Sequence, residues 1–184
     1  MRDILTLLLA GVLADNLICF RCIGIGNNVL STDTLRRSAM LGIFMTVAGI
    51  TATAIVFPIG LLLAAINADY LKTFFIISVC AAAVLVGKKV FPKLVYNFSS
   101  AQGAVAFGTV LGICCICTAK PMFWQAVLSA LFYGLGLLLV LCIFFCTRLS
   151  LKPARIPQSL KGLPLDLIIT AIIALIIYGW HGVA

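Results

Sequence analysis

Residues 123–146 read FWQAVLSALFYGLGLLLVLCIFFC, a run of apolar and small residues with no charged side chain. A helix of that length covers about 36 Å at 1.5 Å per residue, enough to cross the roughly 30 Å hydrocarbon core of a bilayer. Working outward, further apolar runs of comparable length lie at 4–25, 39–66, 70–87, 98–117 and 163–180. The connections between them carry the polar, charged and helix-breaking residues: Asn27 to Arg37, Asn67 to Asp69, Lys88 to Asn97, Lys120-Pro121, and Arg148 to Lys161 with its two prolines. The expected fold is an all-α membrane protein with six transmembrane helices, forming a single integral membrane domain over residues 1–184.

Composition agrees. Of 184 residues 64% are apolar and 10% charged, with a mean hydropathy of +1.24; a soluble domain carries roughly 25% charged residues. A surface so poor in charge requires lipid as its solvent. Met1-Arg2-Asp3 leads into the first apolar run without a small-residue cleavage site, so that run is expected to belong to the mature fold. The formal charge of +8 resides mostly in short connections, where insertion bias and anionic headgroups account for it, so no nucleic-acid partner is expected.

Orientation follows from the same residues. The first, third and fifth connections hold Arg36, Arg37, Lys88, Lys89, Lys93, Arg148, Lys152, Arg155 and Lys161, whereas the opposite side holds Arg2, Lys72 and Lys120. The positive-inside rule then places both termini outside the cytoplasm.

Two spans look interrupted, each the first of three. The first contains Asp15, Asn16 and Arg21 before Gly24-Ile25-Gly26-Asn27-Asn28; the fourth contains Gly108, Gly112 and a cysteine cluster before Lys120-Pro121. Broken first and fourth helices suggest two inverted three-helix repeats, 1–97 and 98–184, with the functional site at the irregular backbone. Glycines that merely allow close helix packing are the alternative.

The cysteines lie at 19, 22, 80, 114, 115, 117, 142 and 146. Cys19 and Cys22, and likewise Cys114 and Cys117, form C-x-x-C pairs whose members share a helix face. Two such pairs can supply the four thiolates of an iron–sulfur cluster or a zinc site, or form a redox disulfide; cysteine is equally a small packing residue, the reading preferred for Cys80, Cys142 and Cys146. Asp15 and Arg21 are the ionisable residues deepest in a span, either facing a polar cavity or reaching the interface of a short helix. Asp166 reads as a first-turn carboxylate at a helix N-terminus. His181, beside Trp180, reads as an interface residue. A phosphate loop, a Ser/His/Asp set and a paired-carboxylate system are all missing from the sequence, which argues against a self-contained hydrolase or nucleotide enzyme.

Several stretches carry a family resemblance. Val12-Leu13-Ala14-Asp15-Asn16, Ser38-Ala39-Met40-Leu41-Gly42, Ser129-Ala130-Leu131-Phe132-Tyr133-Gly134 and Ile156-Pro157-Gln158-Ser159-Leu160-Lys161-Gly162 resemble segments of the six-span membrane subunits of the Rnf and Nqr ion-translocating electron-transport complexes. The N-outside orientation is similar to that of the A-type Rnf and E-type Nqr subunits. The resemblance implies a non-catalytic subunit of a membrane oxidoreductase, a sister six-helix partner of opposite orientation, further subunits of the complex, and a [2Fe–2S] cluster shared near the midplane.

On that basis Cys114, with Cys22, Cys19 and Cys117, forms the candidate ligand set, and Asp15, Asn16 and Arg21 line a candidate ion pathway. The sequence departs from the family at Gly26, which stands where the family has its first ligand cysteine. That departure leaves a second expectation open: a diverged non-redox paralogue acting as an inverted-repeat transporter of a small molecule or ion.

Overall fold

A computed structural model describes residues 16–21, 23–26, 35–90, 100–151, 157 and 160–181. Among these the chain is helical: α1 (Leu17–Arg21), α2 (Leu35–Ala65), α3 (Lys72–Val90), α4 (Ser100–Cys117), α5 (Phe123–Leu151) and α6 (Leu163–His181), with a 3₁₀ turn, Asp69–Leu71, leading into α3. Three segments, Ser38–Ala65, Lys72–Val90 and Phe123–Leu151, are long and apolar enough to cross a membrane, and Gln102–Cys117 and Leu163–Gly179 are shorter apolar helices. With the apolar character of the whole chain, they make this a multi-pass membrane protein.

The spans of α2 to α6 are apolar on every face, as expected where lipid lies outside and protein inside. Burial therefore marks the inward stripe. On α3 it is Ile76, Cys80 and Val84; on α4 Ala106, Val110 and Cys114; on α6 Ile169, Ile173 and Ile177, each set at i, i+4, i+8. These stripes meet Leu41, Phe44, Met45, Ala48 and Ala52 of α2 and Leu137, Val140, Leu141 and Phe144 of α5 in one core. Leu61, Leu62, Phe74, Leu85 and Leu175 face outward, each more than 60% exposed.

Small residues set the closest approaches, as packing between helices in lipid requires. A Cβ on Gly42 would lie 3.1 Å from the Leu138 backbone, and one on Gly134 would collide with the Thr46 side chain. The pairs 42–138 and 46–134 make α2 and α5 an antiparallel couple. Gly87 against Phe44 and Gly60 against Lys72 set α3 antiparallel to α2 in the same way. Pro58 lies inside α2 without ending it, although it removes one main-chain hydrogen bond.

The two expected interruptions turn out unlike each other. After the five residues of α1 the chain turns at Ile23-Gly24, where the Ile23 amide donates to the Leu17 carbonyl at 3.0 Å and Gly24 takes φ +90°. By contrast α4 runs unbroken through Gly108 and Gly112 and stops at Cys117. A glycine inside a helix costs only about 1 kcal/mol, whereas freeing backbone groups in hydrocarbon costs several, so the fourth helix is interrupted at its end. There the Thr118 amide and hydroxyl both donate to the Cys114 carbonyl, at 2.9 and 2.8 Å.

Candidate functional site: the turn after the first helix against the cysteine helix

α1 is held from its N-terminus. Asn16 is fully buried, and its Oδ1 accepts the Ile18 amide at 3.1 Å, the N-cap geometry that satisfies one of the orphan donors of a first turn. Arg21 closes the last turn and is exposed, where its charge complements the helix C-terminus. Of the sequence-derived ion-pathway residues, Asn16 is therefore a buried cap and Arg21 an exposed end residue, while Asp15 lies outside the described residues.

The chain leaving α1 lies along α4. A Cβ on Gly112 would meet the Ile23 side chain at 2.6 Å, and one on Gly26 would meet the Val105 methyls at 2.9 and 3.0 Å. The space beside position 26 is thus filled from the opposite helix by Val105. Cys114 is nine residues further along α4, about 13 Å at the helical rise.

The thiols separate into different environments. Cys114 is fully buried and packs in the main core with Cys80 of α3, beside Thr53 of α2. The Thr53 hydroxyl donates to its own helix, to the Gly49 carbonyl at 2.8 Å. Cys117 is buried in a second cluster with Leu17, Ile113, Ala130 and Tyr133. Cys19 packs against the main core, Cys115 is exposed, and Cys22 lies outside the described residues. Among the described residues no three His, Cys, Asp or Glu side chains come together as a metal-binding group.

Sequence spacing had paired Cys114 with Cys117, and the fold pairs it with Cys80. No local signal points to Cys80, because the contact depends on the register of α3 against α4. The carboxylate of Asp166 lies in the first turn of α6, as its sequence position indicates. The fold adds its partner: Arg148 Nε from the end of α5 lies 3.4 Å from Asp166 Oδ1, with the carboxylate 3% and the guanidinium 35% exposed. That oxygen has no hydrogen bond, so the pair is one of charge rather than of directed donors.

These features define a multi-pass helical membrane protein in which the segment after a short first helix lies along a cysteine-bearing fourth. The chain matches the family model for the Rnf-Nqr subunit membrane proteins over residues 4–183 and belongs to that family. Set against curated proteins, it matches none.

Proposed function

We propose that this chain is a membrane-embedded, non-catalytic subunit of an ion-translocating electron-transport complex of the Rnf/Nqr kind. The observation that carries this reading is the family match, which spans residues 4–183 and includes both the turn after α1 and the α4 cysteines. In this reading the chain sits in a bacterial plasma membrane with its termini outside the cytoplasm. It packs against a sister six-helix subunit of opposite orientation and works with subunits that carry the redox groups.

A [2Fe–2S] cluster needs four thiolates. The described thiols do not fit such a set within one chain: Cys114 packs with Cys80 in the main core, Cys117 lies in a separate cluster, and Val105 fills the space beside Gly26. A cluster here requires sulfur from Cys22 or from a partner, and no electron step is assigned through it.

The filled space at Gly26 favours a second reading, a paralogue that has kept the scaffold and moves an ion or small molecule without redox chemistry. The two are separated with inverted membrane vesicles from cells lacking the chain. Loss of reductant-driven ion uptake, restored by the wild-type chain, supports the electron-transport subunit. Unchanged uptake sinks it.

A further inference from the structure

Between α2 and α3 the bundle carries an open cavity of about 450 Å³, lined among others by Phe44, Ala48 and Ile55 on one side and Val79, Ala83 and Val90 on the other. The lining runs from residue 44 to 55 on α2 and from 79 to 90 on α3, about 16 Å at the helical rise. That is the depth of one leaflet, half of the roughly 30 Å hydrocarbon core. Thr51 is the one hydroxyl-bearing residue in the lining, and its oxygen donates to the Ala48 carbonyl at 3.0 Å. The groove therefore offers no directed polar contact and suits a hydrocarbon chain.

Its charge is at one end. Lys89 precedes Val90, the last lining residue, and is exposed in the final turn of α3. Arg36, also exposed, lies eight residues before Phe44 on the antiparallel helix α2, about 12 Å further out, at headgroup depth. On this side of the membrane the connections carry nine Lys and Arg against Asp33 and Asp166, and Asp166 is paired with Arg148.

We propose that this groove is a binding site for one anionic phospholipid of the basic-side leaflet, its acyl chain between α2 and α3 and its phosphate held by Lys89 and Arg36. Basic pockets between transmembrane helices recognise such headgroups through charge, and the apolar groove below supplies the chain contact. The proposal is independent of the electron-transport reading.

The test places a tryptophan in the groove, Val86→Trp, in a background with Trp124→Phe and Trp180→Phe. The full-length protein is reconstituted in vesicles containing brominated phosphatidylglycerol or brominated phosphatidylcholine at equal mole fraction. The expected result is several-fold stronger quenching by the phosphatidylglycerol, with the preference lost in Arg36→Gln/Lys89→Gln. A second position, Ala83→Trp, guards against misfolding of the first variant and should show the same preference. Equal quenching by the two lipids, a preference that survives removal of both charges, or no quenching by either lipid because a protein segment covers the groove would each overturn the proposal.

Discussion

Gly134 of α5 faces Thr46 of α2 so closely that a single added methyl would collide with the threonine side chain. Thr46 is oriented for this contact by its own helix: its hydroxyl donates to the Gly42 carbonyl at 2.7 Å. One turn away Gly42 lies against Leu138 in the same crossing, so the two longest helices of the bundle meet through one glycine from each.

Enlarging that contact should therefore loosen the whole bundle. Gly134→Val is expected to destabilise the protein by about 1–3 kcal/mol, the usual cost of overpacking, and Thr46→Ala in the same chain should recover part of it. Thermal unfolding in detergent, followed by circular dichroism, measures both. An unchanged midpoint in Gly134→Val contradicts the packing described.

The Arg148–Asp166 pair joins the end of α5 to the first turn of α6. Arg148→Gln leaves a buried carboxylate without its cation and is expected to cost about 1–2 kcal/mol, less than for a fully buried pair because the guanidinium is partly exposed; Asp166→Asn removes the buried charge itself and should cost less. A double-mutant cycle on unfolding free energies should show coupling between the two positions. Strict additivity would show that the ion pair contributes nothing.

Val105 occupies the space that a side chain at position 26 would need. Gly26→Cys should accordingly lower the unfolding midpoint, and Val105→Ala combined with it should restore stability by making room. If Gly26→Cys is tolerated with Val105 in place, the segment after α1 does not lie where the structure puts it.

Cys80 and Cys114 are packed together in the core where α3 meets α4. In a variant retaining only these two cysteines, with the others replaced by alanine, dibromobimane should bridge the pair and become fluorescent, whereas the variant retaining Cys114 and Cys117 should stay dark. The opposite pattern would restore the C-x-x-C pairing that the sequence suggests.

The sequence revealed the elements far better than the site. Apolar runs and polar connections located α2, α3, α4, α5 and α6 to within about five residues, because the bilayer demands long unbroken helices and penalises charge within them. The break after α1 was equally legible, since Gly24 and Gly26 follow a short segment rich in polar side chains. Glycine alone misplaced the interruption in α4, because Gly108 and Gly112 serve within a continuous helix. The neighbours of the thiols were not legible at all. Cys114 meets Cys80 and Thr53 through the register of three helices, and no spacing along one helix encodes that register.

The central claim, that this chain belongs to an electron-carrying assembly, is tested most directly by purifying it anaerobically from its own membranes in mild detergent with whatever remains bound. Iron, acid-labile sulfide and the visible spectrum are then recorded before and after addition of dithionite. The expected result is a coloured assembly of this chain with a sister membrane subunit and redox-group-bearing subunits, whose flavin or iron–sulfur absorbance bleaches on reduction; the Cys114→Ser and Cys22→Ser variants report whether any of the iron depends on this chain. A colourless, metal-free preparation containing only copies of this chain, under conditions that keep a related complex intact, would contradict the claim and leave the transporter reading in its place.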